Sequence, residues 1–145
     1  MTMRGVPARG LLCALIGFVM LAAGLMKIGD PAAFADAISR RSWMPEALIP
    51  TVAVILPGIE TVSAVALMFA RRWRPGAALL MMGLFIAFAV ELGIDVARGG
   101  RSPCGCFGAV SQPAGWGHVA LNLSLAAGCM RILQACPRCS RKAGV

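Results

Sequence analysis

The sequence has no tyrosine, one histidine and six acidic residues, and charged side chains make up only 14% of it. An ordinary soluble domain carries about 25% charge and about 45–50% apolar residues, whereas here the apolar share is 59%. A single core in a chain of 145 residues is too small to hide that excess. The shortage of charge therefore excludes a water-soluble domain of usual composition and points to a bilayer as solvent. Phosphate loops, dinucleotide fingerprints and a convincing Ser-His-Asp spacing are also missing, which argues against nucleotide-driven and hydrolytic chemistry. No internal repeat or low-complexity segment is visible.

What is present is a series of four apolar runs. The first covers about 11–28, is uncharged from Gly10 to Met26, and ends in Lys27, placed to snorkel to the interface. A cleaved signal peptide is the alternative, with Arg4 and Arg9 ahead of the run and Ala33-Phe34-Ala35 as a small-x-small site. Lys27 and Asp30 fall between run and site, a poor match to such a peptide, so a retained helix is expected. Asp30-Pro31 then starts a turn or caps a short helix, and Phe34, Ile38 and Trp43 suggest a piece lying in the interface. The second run, about 49–70, contains Pro57, which predicts a kink, and Glu60 near its middle. The third, about 76–97, carries Glu91 and Asp95 towards its far end. Residues 98–117 are rich in Gly, Pro and Ser and read as a loop. The fourth run covers about 117–134, with Trp116 as an interfacial anchor. The expected fold is an all-α membrane protein, a four-helix transmembrane bundle over 1–135 with a short basic tail over 136–145.

The net charge of +8 raises the question of nucleic acid. The basic residues instead sit in the gaps between apolar runs, as in Arg71, Arg72 and Arg74, and in the tail as Arg138, Arg141 and Lys142, so no nucleic-acid partner is expected. With four spans, one side holds nine basic residues: Arg4, Arg9, Arg71, Arg72, Arg74, Arg131, Arg138, Arg141 and Lys142. The other holds five: Lys27, Arg40, Arg41, Arg98 and Arg101. The positive-inside rule then puts both termini in the cytoplasm of a cell whose inner membrane the chain crosses. The loop after the third run faces outward.

Six cysteines fall into two groups. Cys104 and Cys106 lie in the outward loop as Cys104-Gly105-Cys106-Phe107-Gly108, in a compartment that permits disulfides. A Cys-x-Cys bridge closes a small, strained ring, and strained exposed disulfides are labile and oxidising, suited to thiol exchange. It would be a poor staple, because so short a loop removes little unfolded-state entropy. Free thiols, or two thiolates holding a soft metal, are the alternatives. Cys13, Cys129, Cys136 and Cys139 gather near the cytoplasmic face, and Cys136-Pro137-Arg138-Cys139, formally a C-x-x-C motif, reads best as simple reduced thiols. About 30 Å of hydrocarbon separates the two groups, so direct exchange between them is excluded, and transmembrane electron transfer would need a quinone or another carrier. Glu60 is costly at about 2.5–3.5 kcal/mol if charged at mid-bilayer, and calls either for a partner or polar cavity or for a protonated carboxyl hydrogen-bonded within the bundle. Glu91 and Asp95 share a helix face, and either a pair of Lys27 with one of these acids or two interfacial, solvated acids is expected. His118, at the start of the fourth run, reads as an interfacial polar residue rather than a metal ligand, and Asn122 as a hydrogen-bonding group within the bundle. No metal site is expected.

The elements Ala23-Gly24-Leu25-Met26-Lys27 with Asp30-Pro31, Pro57-Gly58-Ile59-Glu60, Arg98-Gly99 leading to Cys104-Gly105-Cys106-Phe107-Gly108, and Trp116 with Asn122 form a recognisable series. In these the chain resembles the DoxX-like membrane proteins, and specifically the MauE branch named for methylamine utilisation. The resemblance runs from about 10 to 135. It implies a four-helix membrane bundle that helps mature or oxidatively fold exported proteins, usually beside a thioredoxin-like partner. By position it carries over Lys27, Glu60, Cys104 and Cys106; the Cys136–Cys139 tail has no counterpart in the pattern. The working expectation is therefore redox cycling by Cys104 and Cys106. A periplasmic thioredoxin-like protein would be its partner and an exported disulfide-containing protein its client, with Lys27, Glu60 and Glu91 shaping the bundle or a quinone pocket. The rival expectations are a carrier of a soft metal, mercury or copper, and a non-catalytic subunit anchoring an oxidoreductase.

Overall fold

In hydrocarbon an apolar run must close its backbone N–H groups onto carbonyls of its own helix, because no water is there to receive them. The computed structural model describes residues 5–40, 44–99 and 115–135, and its long runs take that solution. Helix α1 is Gly5–Gly29, α2 is Pro31–Ser39, α3 is Ile49–Phe69, α4 is Arg74–Ala97 and α5 is Trp116–Gln134, with a 3-10 turn at Glu46–Leu48 leading into α3. The described residues contain no strand. The chain is an all-α membrane protein.

Among the described residues three stretches are long and apolar enough to cross a membrane: Arg9–Gly29, Glu46–Phe69 and Arg74–Ala97. This corrects the count of four apolar spans. Helix α5 has 19 residues, about 28 Å at a rise of about 1.5 Å each, so its length suffices. It falls short in hydropathy, because His118, Asn122, Arg131 and Gln134 interrupt it. It joins the bundle mainly through its packing on α4, and its buried residues are Asn122, Ala126, Cys129 and Ile132. Large apolar side chains such as Phe18, Val54, Val62, Leu79 and Val90 remain exposed around the bundle, on a surface suited to lipid tails.

The long helices pack as two close pairs, α1 with α3 and α4 with α5. The α3–α4 contact joins the pairs, and the α1–α5 seam is the slimmest between neighbouring long helices. Two glycines let α1 approach α3. A Cβ on Gly24 would lie 2.6 Å from Thr61 Oγ1 and 3.3 Å from the Pro57 carbonyl oxygen, and one on Gly17 would collide with Met68. These contacts pair residue 17 with 64–68 and residue 24 with 57–61, so α1 and α3 run antiparallel. Helix α3 passes unbroken through Pro57, and Thr61 Oγ1 donates to the Pro57 carbonyl at 2.8 Å.

Arginines satisfy carbonyls left over at helix ends. Arg74, the first residue of α4, donates to the carbonyls of Leu67 (2.9 Å) and Met68 (2.8 Å) at the end of α3. Arg9 donates to the Ala135 carbonyl beyond α5 at 2.8 Å. At the other end Asp30 caps α2, its Oδ1 accepting from Ala33 N at 3.0 Å with Pro31 in the first helical turn, as the Asp-Pro pair suggests. Phe34 and Ile38 of α2 turn inward onto Ala53 rather than out into the interface, and Trp43 lies outside the described residues. Gly24→Ala should lower the unfolding midpoint in detergent micelles by the equivalent of about 1–3 kcal/mol, as overpacking does. Gly83→Ala is the control: a Cβ there meets nothing within 4 Å, and it should leave the midpoint unchanged or raised.

Candidate functional site

The helices are apolar on either side of one level of the bundle and polar or aromatic at it. One core cluster holds Cys13, Ile16 and Met20 of α1, Ala64 and Leu67 of α3, Met81 and Phe85 of α4, and Ala126 and Cys129 of α5. Further along, Ala53 of α3 packs with α2, and Leu92 of α4 packs with Val119 of α5. Between these clusters lie Glu60 on α3, Phe88 on α4 and Asn122 on α5, and Lys27 of α1 reaches this level.

Lys27 Nζ donates to both carboxylate oxygens of Glu60, each at 2.8 Å. The two side chains are 2% and 0% exposed. The pairing overturns two expectations: Lys27 does not snorkel to the surface, and its acid is Glu60 rather than Glu91 or Asp95. Helix direction supplies the reason. A helical side chain leans towards the N-terminus of its own helix. Lys27, near the end of α1, therefore leans back into the bundle, while Glu60 on antiparallel α3 leans the opposite way, and the two meet. Glu91 and Asp95 lie further along α4, both half-buried.

Two rings complete the cation's surroundings. Nζ lies 5.2 Å from the centre of the Phe34 ring and 5.1 Å from that of Phe88. Both distances are within cation–π range, and in a desolvated site each contact counts for more than at a surface. The ammonium thus faces a carboxylate and two aromatic faces, contributed by α2, α3 and α4. Sequence reasoning missed this role for Phe34 and Phe88. The signal available was their helical spacing: Phe88 stands one turn from Phe85 and from Leu92, both buried.

Beside the pair is a cavity of ≈ 30 Å³, bordered by Lys27, Glu60, Asn122, Phe85, Phe88 and small or aliphatic side chains of α1 and α5. That is room for a water or two. Asn122 Nδ2 donates to the carbonyl of His118 one turn back at 2.8 Å, which places its hydrogen bond within its own helix. Among the described residues no group of three His, Cys, Asp or Glu side chains could hold a metal ion.

Of the expected site residues, the structure brings together Lys27 and Glu60 and leaves Glu91 further along α4. Cys104, Cys106, Cys136 and Cys139 lie outside the described residues. Cys13 and Cys129 are described, free and buried.

The chain matches the family described as "Methylamine utilisation protein MauE" over residues 7–134. Among curated proteins it is similar to the methylamine utilization protein MauE of Paracoccus denitrificans, at 32% identity over 124 residues. The alignment covers 84% of this chain and 66% of that relative, so the chain spans just under two thirds of the relative's length. No solved structure matches it.

The ion pair generates a double-substitution test. Lys27→Met leaves Glu60 buried without its cation and should cost about 3–5 kcal/mol in unfolding free energy, read from reversible denaturation in mixed micelles. Adding Glu60→Leu should restore most of that loss, since an apolar pair of similar volume removes the stranded charge. If the double variant were no more stable than Lys27→Met, the energetic reading of the pair would be wrong.

Proposed function

The chain belongs to the MauE family, and from that premise we propose that it is a membrane thiol-redox protein that helps form disulfides in, or mature, an exported protein serving methylamine utilisation. The observation that carries the reading is the placement of Cys104-Gly105-Cys106. It lies in the connection between the end of α4 at Ala97 and the start of α5 at Trp116, so it is tethered at both ends to the end of the bundle that carries α2. The positive-charge count makes this end the outward one, with both termini in the cytoplasm and the protein in a bacterial inner membrane. In this reading α5 is a fourth span, accompanied across the bilayer by its packing on α4, and residues 1–135 form one DoxX-like domain with 136–145 as a cytoplasmic tail.

In the reaction, Cys104 and Cys106 hold a disulfide whose bond is attacked by a thiolate of a thioredoxin-like protein in the periplasm. A mixed disulfide forms, the second thiol of the partner resolves it, and the pair leaves as two thiols while the partner becomes oxidised. The partner then passes its disulfide to the exported client, and a quinone or another membrane electron carrier takes the two electrons and two protons whose removal restores the Cys104–Cys106 disulfide. The Lys27–Glu60 pair joins α1 to α3 and, through the Phe34 and Phe88 rings, α2 and α4, and its role is positioning rather than catalysis.

Thiol trapping in intact spheroplasts with a membrane-impermeant maleimide tests this directly. Cys104 and Cys106 should react only after prior reduction, and Cys104→Ser should strongly lower the yield of disulfide-bonded client in the periplasm. Unchanged client disulfides and unchanged growth on methylamine in the Cys104→Ser strain would sink the proposal.

A further inference from the structure

The outer-loop reading leaves four cysteines unused, and the fold brings two of them, Cys13 and Cys129, into one core cluster. Cys13 of α1 is 1% exposed and Cys129 of α5 is 0% exposed, and both belong to the same core cluster. The helices pack closely at this level: a Cβ on Gly128 would lie 2.7 Å from Ile16 Cδ1 and 3.6 Å from Leu12 Cδ1. Leu12 and Ile16 flank Cys13 on α1, and Gly128 precedes Cys129 on α5. The two thiols belong to the two helices that meet at the α1–α5 seam, the slimmest between neighbouring long helices.

We propose that Cys13 and Cys129 are a second dithiol–disulfide pair, embedded in the bundle, that links α1 to α5 reversibly through thiol–disulfide exchange. The surroundings suit this chemistry. Met20, Met81 and Ile132 pack in the same cluster, which is otherwise apolar. A charged carrier would be costly there, whereas a dithiol and a disulfide are both neutral, so the cycle leaves no buried charge at either end. Oxidation breaks two S–H bonds and forms one Sγ–Sγ bond. The two electrons and two protons go to the disulfide of an exchange partner, whose S–S bond breaks to give two thiols; reduction runs the same steps backwards. Access is from the end where α1 begins and α5 finishes. Cys13 lies eight residues from the start of α1 and Cys129 five from the end of α5, which is about 12 Å and about 8 Å at the helical rise. The slim seam is the part of the bundle that opens to admit the partner thiol.

The test uses the full chain in membranes with Cys104, Cys106, Cys136 and Cys139 all changed to Ser, which leaves Cys13 and Cys129. Cells are quenched in acid before and after a pulse of diamide, and again after recovery in growth medium. The chain is then denatured and labelled with a maleimide-polyethylene glycol reagent. The expected result is two labels before the pulse, none after it unless the sample is reduced, and two again on recovery. Cys13→Ser or Cys129→Ser in that background should give one label under all three conditions. Two labels throughout, a cross-linked dimer in place of an internal bond, or a disulfide that persists through recovery would each overturn the proposal. Should the multiple variant accumulate poorly, peptide mapping of the unaltered chain for a 13–129 linkage answers the same question, and absence of that linkage after the pulse overturns it. The outer-loop reading stands or falls separately, because the labelled variant lacks Cys104 and Cys106.

Discussion

The bundle is organised around one buried ion pair. Lys27 and Glu60 are each too costly to leave alone in hydrocarbon, and each makes the other tolerable only while both oxygens of the carboxylate stay within hydrogen-bond reach of the ammonium. That requirement fixes the level at which α1 and α3 meet. It also explains the glycine at position 24, because α1 must come close to α3 just inside the pair for the lysine stem to span the gap. Through the two phenylalanine rings the same cation ties in α2 and α4. A change at this point would reach four of the five helices, whereas the exposed apolar face of α4 has only lipid to answer to.

Much of the architecture is legible in the sequence because bilayer physics leaves few options. The run of about 49–70 becomes Ile49–Phe69 and that of about 76–97 becomes Arg74–Ala97. Their ends fall where charge or Pro and Gly interrupt them. Asp30-Pro31 announces α2 for a local reason, since the cap needs only residues close in sequence. The partner of Lys27 was not legible, because hydropathy gives a depth for Cα and says nothing of the direction in which a long side chain leans. Placing Lys27 by its Cα alone puts it level with Glu91 and Asp95; placing it by its ammonium puts it level with Glu60. Helix α5 is the other instructive difference. Counted as an apolar run it looks like its neighbours, but Asn122 and Arg131 lower its hydropathy, and its place depends on α4 covering the face that carries Asn122.

The cavity beside the pair, ≈ 30 Å³, has room for a water or two. Lys27 and Glu60 are satisfied by each other and by the two phenylalanine rings, so they act as architecture. The proposed thiol chemistry does not require the ion pair to take any chemical part.

The distribution of charge and sulfur then has one physical logic. The buried charges, Lys27 and Glu60, are paired and surrounded, so the site is stable only with both present and is unsuited to passing a net charge along. The buried thiols sit elsewhere, in the apolar cluster at the opposite end of the α1–α5 seam from the loop, where neither of their redox states carries charge. A low-dielectric interior tolerates neutral two-electron chemistry far better than the movement of bare electrons or ions. The fold thus separates two tasks that would conflict if combined: an ion pair that must not change, and sulfur atoms that can change without altering the electrostatics around them. On this argument the slim α1–α5 seam is the place where such a change could be accommodated, since the α1–α3 contact that holds the ion pair need not open when the seam does.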